Sequence, residues 1–242
     1  MRHRDHDAVA RGIRARYLTP APALGYEVAR RPYGVLATLG DTRRAILDPE
    51  AGVRDLASLV ADDATVVWVE DRERAERLAP ALRAAGYEAG PATTYLALVG
   101  DVRASVPAAL VLRLARDAED FARRKLTYFA DGAPPSEEDL ARELATRESE
   151  RDLADFFVVD VAGDASAILA AYRGEDATVY LLATDPRWRS RGVGSGALAA
   201  WVASTSARSH VINALDGGRP AELYQRLGFV DEVYWYRRFE RA

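Results

Sequence analysis

The chain has 242 residues, of which 49% are hydrophobic and 29% are charged. This length allows one large domain or two small ones with a buried core, and the composition is that of an ordinary globular protein. The net charge of −4 provides no overall basic field for nucleic acid or an anionic membrane. The absence of cysteine excludes disulfides, thiolate metal sites and a cysteine nucleophile.

The N-terminal segment 1–7 is charged and has no apolar core, so we expect no secretory signal. No apolar run approaches the roughly 20 residues that span a bilayer. We therefore expect a cytoplasmic protein with neither membrane nor nucleic acid as a partner. The three histidines have no ligand spacing, and no metal site is predicted.

The first half of the chain alternates strand and helix signals. A helix is predicted over residues 7–16, before a proline-rich stretch at 19–22. Asp48-Pro49 is a turn signal, and Gly86-Tyr87 closes an amphipathic helix. The other predicted strands are 34–39, 44–47, 65–69 and 93–99, and the other predicted helices are 53–60 and 72–85.

The second half begins after a predicted linker at 101–106. A long charged helical region, 117–152, is broken by Gly132-Ala133-Pro134-Pro135, and Ser136 is a good N-cap with an acidic first turn. Gly163-Asp164 is a hairpin signal between two alternating strands. The predicted strands are 109–114, 156–161, 167–172, 179–183, 210–214 and 233–239, and the later helices are 194–203 and 220–226.

Segments 46–71 and 181–216 share the order strand, Asp-Pro, helix, strand, Asp, and both continue to a helix, a Gly-aromatic pair and a strand. This order indicates a diverged internal duplication. The alternative is that two βαβ units look alike because all such units do.

A glycine-rich loop at 189–196 stands between a strand and an amphipathic helix. Glycines at 192, 194 and 196 let the backbone approach a ligand, and the helix N-terminus that follows favours an anion. Arg189 and Arg191 add donors that suit phosphate oxygens. A pyrophosphate-bearing ligand is the simplest interpretation, because the loop lacks the Gly-Lys-Ser/Thr of a P-loop and matches a Rossmann turn poorly.

A second motif, "AELYQRLGFV" at 221–230, places Tyr224 on the short helix after the next strand and ends that helix at Leu227-Gly228-Phe229. Together the loop and this motif resemble the GNAT superfamily of N-acyltransferases over residues 108–242. The resemblance implies an α/β fold with a mixed sheet. We expect a GNAT domain at 105–242, preceded at 1–104 by a degenerate GNAT-like unit in a tandem arrangement.

The resemblance also implies a site and a cofactor, acetyl-coenzyme A. Tyr224 matches the position often assigned as general acid, and a tyrosine can protonate the leaving thiolate at modest energetic cost. The residues that match cofactor-binding positions are Leu182, Thr184, Arg189, Gly192, Val193, Gly194, Ser195 and Gly196. Arg191 is a further candidate for cofactor binding because its guanidinium suits phosphate oxygens.

Two features depart from the family pattern. Gly217 stands where the family often has a cofactor-binding Asn, and Asn213 is nearby but in the strand. The strand at 179–184 contains no carboxylate to deprotonate the amine. Glu175, Asp176 and Asp160 are the candidate bases.

The N-terminal unit has Pro49–Arg54 where the second unit has its glycine loop, and this shorter stretch has no Gly-x-Gly. We expect this unit to bind no coenzyme A and to help shape the acceptor cleft.

The resemblance thus implies a transferase (EC 2.3.1.-) that moves an acetyl group from acyl-coenzyme A to a primary amine on a small molecule or peptide, through a ternary complex, in a monomer or homodimer. A non-catalytic acyl-coenzyme A sensor and a nucleotide-binding α/β protein are the alternatives.

Overall fold

The computed structural model describes residue 9 and residues 11–13, 26–39 and 41–242. The helix predicted at 7–16 lies outside these ranges except at residues 9 and 11–13, which are helical, and the stretch at 19–22 lies wholly outside them. The described strands are β1 (Glu27–Arg31), β2 (Gly34–Leu39), β3 (Thr42–Leu47), β4 (Val66–Glu70), β5 (Tyr87–Leu98), β6 (Leu110–Leu114), β7 (Ala154–Val161), β8 (Asp164–Tyr172), β9 (Asp176–Thr184), β10 (Ser209–Leu215) and β11 (Phe229–Arg241).

The α-helices between these strands occur where the sequence predicts them, but the helix after the glycine loop is apolar and buried nearly all round, so the prediction that it is amphipathic is wrong. They are α1 (Leu56–Ala61), α2 (Arg72–Ala84), α3 (Ala118–Phe129), α4 (Glu137–Glu150), α5 (Val193–Ser204) and α6 (Arg219–Arg226), with short 3-10 turns at Val53–Asp55 and Pro186–Trp188. The predicted break before α4 is confirmed, and Ser136 caps the helix by accepting the amide of Asp139 at 3.1 Å. In the described part of the chain, no helix is long and apolar enough to cross a membrane.

The chain divides into two compact units. The first consists of residues up to 95 with 214–221 and 232–242, and the second consists of 96–213 with 222–231. The strands β5, β10 and β11 thus contribute residues to both units. The domain boundary expected at residue 104 stays a prediction.

In the first unit the strand order is β1-β2-β3-β4-β11-β5. The neighbours β3 and β4 are parallel, with Arg44 opposite Val66, and α1 provides the crossover that a parallel pair requires. The core around these strands includes Tyr33, Leu47, Leu59, Val67, Val69, Leu78, Leu82, Tyr87 and Phe239.

In the second unit the order is β5-β10-β9-β8-β7-β6. Strands β6 to β9 form an antiparallel meander, whereas β10 is parallel to β9. Neighbouring residues Val158 and Val159 belong to different core clusters, as expected when successive side chains point to opposite faces. One cluster contains Phe121 of α3, and the other contains Val193 and Ala197 of α5.

The sequence did not predict one of the strands and predicted too late a start for another. The strand β1 has no apolar stripe, because it lies at the end of the strand order and is largely exposed. The strand β5 begins at Tyr87 rather than at 93. Its first residues include Gly90 and Pro91, which are poor strand formers. A side chain at Gly90 would lie only 3.4 Å from the carbonyl oxygen of Arg238, so contact with β11 sets this part of β5.

Candidate active site

Strand β9 contains a β-bulge at Tyr180. Its register with β8 pairs Leu181 with Ala170 and Val179 with Ala171, which leaves Tyr180 as the extra residue. A bulge bends the strand and increases its twist. Tyr180 and Leu181 both pack toward the cluster that contains Phe121, so the bulge turns two consecutive side chains to the α3 face.

The strands β9 and β10 part at the same point. Their parallel pairing runs from Asp176–Ser209 to Val179–Ile212, whereas β9 continues to Thr184. Within the described chain, no residue of β9 after Val179 is paired with β10. The main chain at the end of β9 is therefore not paired with β10.

The turn after β9 is held by Asp185. Its amide donates to Ser166 at 2.9 Å, and its carboxylate accepts from both the amide and the guanidinium of Arg187. The Arg187 guanidinium holds the pKa of this carboxyl below its usual range. The Asp-Pro pair of the sequence thus fixes the direction in which the chain enters the glycine loop.

The glycine loop has two left-handed residues, Ser190 with φ 61° and the N-cap Gly192 with φ 75°. Turn conformations of this kind can direct backbone amides toward one concave side. The amide of Gly196 donates to the carbonyl of Gly192 at 2.9 Å. The amides of Val193, Gly194 and Ser195 belong to the first turn of α5, where N–H groups have no intrahelical partner.

The first turn of α5 packs closely against the end of β9. A Cβ at Gly194 would lie 3.4 Å from Thr184 Oγ1 and 3.7 Å from Leu182 Cδ2. The structure therefore places Leu182 and Thr184 beside the start of α5. Gly196 has a packing role, because a Cβ there would lie 2.6 Å from Pro107 Cδ.

The two loop arginines have different surroundings. The guanidinium of Arg189 donates to Asp131 Oδ1 at 2.5 Å and to the carbonyl of Tyr128 at 2.7 Å, so it ties the loop to the end of α3. Arg191 is exposed, and its guanidinium lies 5.3 Å from the ring centroid of Trp188. The guanidinium of Arg191 is therefore the one that remains available to an anion.

Tyr224 lies on α6 and is 7% exposed. Burial raises the pKa of its hydroxyl to about 12, so the group is protonated throughout the neutral range. A buried phenol can donate a proton and then regain it, which is the role that the sequence predicted for this residue.

Two of the candidate bases lie at the opposite end of β9 from the glycine loop, whereas Asp160 lines a surface pocket together with Arg187, two residues before the loop. Glu175 and Asp176 stand at the beginning of β9, where Arg208 approaches both carboxylates. Asp160 of β7 accepts from Arg113. Asn213 lies in β10 as predicted, and Gly217 lies in the turn before α6 with φ 68°.

Sequence reasoning missed a buried polar cluster beside the bulge. Glu150 of α4 accepts the hydroxyl protons of Tyr180 at 2.7 Å and Tyr172 at 3.1 Å. Arg147 binds Glu150 at 2.9 Å and Glu143 at 2.7 Å. The signal was present, because Leu140, Glu143, Arg147 and Glu150 follow helical spacing and thus share one face of α4.

Comparison with known proteins gives a family match over the part of the chain that contains this loop and Tyr224. The family described as "Acetyltransferase (GNAT) domain" matches residues 95–226. None of the curated proteins matches the chain in sequence.

Three solved structures illustrate the likeness. A GCN5-related N-acetyltransferase from Kribbella flavida is 16% identical with a TM-score of 0.58, covering 96% of this chain and 95% of its own. A functionally unknown conserved protein from Staphylococcus epidermidis is 12% identical with a TM-score of 0.64, covering 90% and 95%. A tandem GNAT protein from the clavulanic acid biosynthesis pathway is 15% identical with a TM-score of 0.57, covering 89% and 82%.

The fold is α/β with a mixed sheet, and a glycine-rich loop leads into the N-terminus of α5. The family match spans more than half of the chain, and the protein belongs to the GNAT acetyltransferase family.

Proposed function

We propose that this protein is an N-acetyltransferase that moves the acetyl group of acetyl-coenzyme A to a primary amine of a small molecule or peptide. The observation that carries the proposal is the junction of the parted strand β9 with the glycine loop. There the end of β9, whose main chain is not paired with β10, lies beside the first turn of α5, and the exposed Arg191 belongs to the loop that joins them.

The residues fit a pyrophosphate-bearing substrate. The amides of Val193, Gly194 and Ser195 and the guanidinium of Arg191 are hydrogen-bond donors to phosphate oxygens. Arg189 keeps the loop in place through Asp131. Leu182 and Thr184 flank the path along which the pantetheine arm would lie. Gly192 permits the left-handed turn of the loop, and Gly196 permits the close packing of α5 against Pro107.

In the proposed reaction the amine attacks the thioester carbonyl directly, without an acyl-enzyme. The C–N bond forms, the C–S bond breaks, and Tyr224 gives its proton to the sulfur. Proton transfer from a phenol with a pKa of about 12 to a thiolate with a pKa near ~8.5 costs about 5 kcal/mol. This fits within the barrier of about 15 kcal/mol that corresponds to ~100 turnovers per second.

The test is incubation of the purified protein with acetyl-coenzyme A and a panel of primary amines, with free thiol and acetylated product measured together. We expect thiol release that depends on both the protein and one class of amine. Thermal protection by coenzyme A without thiol release across the panel would support the acyl-coenzyme A sensor instead. Protection by ATP or NAD but not by coenzyme A would refute the coenzyme A assignment.

A further inference from the structure

The proposed acetyl transfer requires a group that takes the proton of the attacking amine. Glu175 and Asp176 stand where β9 begins rather than where it parts from β10, and Asp160 lies on β7, which is separated from β9 by β8. The residue at the point of parting is Tyr180, which directly follows the last paired residue, Val179.

The hydroxyl oxygen of Tyr180 keeps one acceptor site after its two hydrogen bonds within the cluster are counted. It donates its proton to Glu150 Oε2 at 2.7 Å and accepts from Arg147 Nη1 at 2.8 Å. A phenolic oxygen offers one donor and two acceptor sites, and these two bonds use the donor and one acceptor. The remaining acceptor site can take a proton from a substrate.

Tyr180 is also the most exposed member of the polar cluster that it forms with Arg147, Glu150 and Tyr172. It is partly exposed, whereas Arg147, Glu150 and Tyr172 are buried. The ring of Tyr180 stacks on that of Tyr172, with centroids 4.3 Å apart, so its position is fixed. The buried carboxylate of Glu150 is hydrogen-bonded to the hydroxyl of this partly exposed residue.

We infer that Tyr180 and Glu150 act together as the proton acceptor for the amine, with Tyr180 as the catalytic residue and Glu150 acting through it. As the nitrogen bonds to the carbonyl carbon, its proton passes to the Tyr180 oxygen while Tyr180 passes its own proton to Glu150. The sulfur takes its proton from Tyr224. The cycle closes when Glu150 loses a proton to water and Tyr224 regains one.

This inference rests on the proposed acetyl transfer. It assigns a base to a chain whose strand β9 has no carboxylate between Val179 and Thr184. Arg147 has a positioning role, because its guanidinium bonds both the phenol oxygen and the carboxylate and so holds the two in line.

The test compares Tyr180→Phe with Tyr172→Phe. Each variant removes one hydroxyl that bonds Glu150, and both keep an aromatic ring in the stacked pair. Tyr172 is no part of the inferred proton path. With the primary amine that gives the fastest thiol release, we expect Tyr180→Phe to lower kcat about 100-fold. Tyr172→Phe removes only a hydrogen bond to Glu150, and we expect it to lower kcat less than about tenfold.

Two further measurements separate a chemical role from a structural one. Hydroxylamine serves as a second nucleophile because it is neutral at pH 7 and its nitrogen loses a proton readily, and with it we expect Tyr180→Phe to lose less than about fivefold. Thermal protection by coenzyme A is expected to equal that of the wild type. Glu150→Gln keeps an oxygen for Tyr180 and removes the carboxylate, so it is expected to show the same nucleophile dependence.

Equal losses in Tyr180→Phe and Tyr172→Phe, or equal losses with both nucleophiles, would overturn the inference. Absence of thiol release by the wild type with every amine would instead mean that the proposed function fails, and the inference with it. Normal wild-type release together with an unaffected Tyr180→Phe variant rejects the inference alone.

Discussion

At the scale of single residues, two arginines on either side of Trp188 differ in what they can do. Arg187 is engaged by Asp185, whereas Arg191 is exposed and stacks on Trp188. Charge alone does not distinguish them, because both are part of the same short basic segment. The difference is that only Arg191 has its donors free to contact a phosphate.

We therefore predict that Arg191→Gln weakens coenzyme A binding about tenfold, as expected for loss of one charge-assisted contact worth about 1.5 kcal/mol. Arg187→Gln is the matched control and should change the affinity less than about twofold. Calorimetric titration with coenzyme A at two salt concentrations is the measurement. A larger effect from Arg187 than from Arg191 would reverse the assignment of the phosphate contact.

Tyr224 supports a second prediction at this scale. Since the hydroxyl is buried and its pKa is raised to about 12, removing it should affect proton donation rather than binding. Tyr224→Phe is expected to lower kcat about 100-fold while the affinity for coenzyme A stays within about twofold. An unaltered rate would return Tyr224 to a packing role.

At the scale of elements, the loop and the helix α5 depend on glycine for two different reasons. Gly192 has φ 75° and nothing within 4 Å of an added Cβ, so its requirement is conformational. Gly196 has an ordinary helical backbone, but a Cβ would collide with Pro107. One residue sets the course of the chain and the other sets the distance between α5 and the segment before β6.

Gly192→Ala should reduce the free energy of unfolding by about 1–2 kcal/mol, the cost of placing an L-residue in the left-handed region. Urea unfolding measures this change. Ser190→Gly is the complementary variant, since Ser190 already has φ 61°, and we expect it to increase stability or leave it unchanged. A neutral Gly192→Ala would mean that the loop has another backbone course.

Gly196→Ala should be destabilising by about 1–3 kcal/mol through overpacking, again by urea unfolding. Shortening Pro107 to Ala in the same chain should restore part of the loss, because the closest contact of the added Cβ is Pro107 Cδ. No rescue would place the strain elsewhere in the helix.

The sequence predicted the loop, α5 and α6 because local rules specify them: Asp-Pro turns, glycines at a helix start and a Leu-Gly-Phe helix end. It did not predict the bulge at Tyr180, since a bulge arises from register between two strands and not from one strand's pattern. It also missed the burial of Glu143, Arg147 and Glu150, because charges on a helix are usually solvated. Their partners lie on α3, β8 and β9, so only tertiary structure reveals them.

At the scale of the whole molecule, the burial of tyrosines makes the stability of the fold depend on pH in the alkaline range. Burial is the largest cause that raises the pKa of Tyr33, Tyr87, Tyr128 and Tyr180, and it raises that of Tyr224 to about 12. These residues belong to both compact units. Alkali should therefore act on the stability of each unit.

The direction follows from linkage. In the unfolded chain a tyrosine ionises near pH ~10, while the folded protein keeps these phenols neutral to higher pH. Below pH ~10 both states hold the proton and stability is independent of it. Above that value the unfolded state releases protons first, so stability falls as the pH rises, by up to about 1.4 kcal/mol per pH unit for each buried tyrosine.

We accordingly predict a melting temperature that is level from pH 8 to pH 9.5 and falls steeply between pH 10 and pH 12. Tyrosinate absorbance at pH 11 should be well below that of the urea-unfolded chain at the same pH, because several of the eleven tyrosines remain protonated when folded. Tyr224→Phe removes one of these groups. The free energy of unfolding of this variant should therefore fall less steeply with pH in this range, by up to about 1.4 kcal/mol per pH unit. Full ionisation of all tyrosines at pH 11 in a chain that remains folded would contradict the burial that the structure assigns to them.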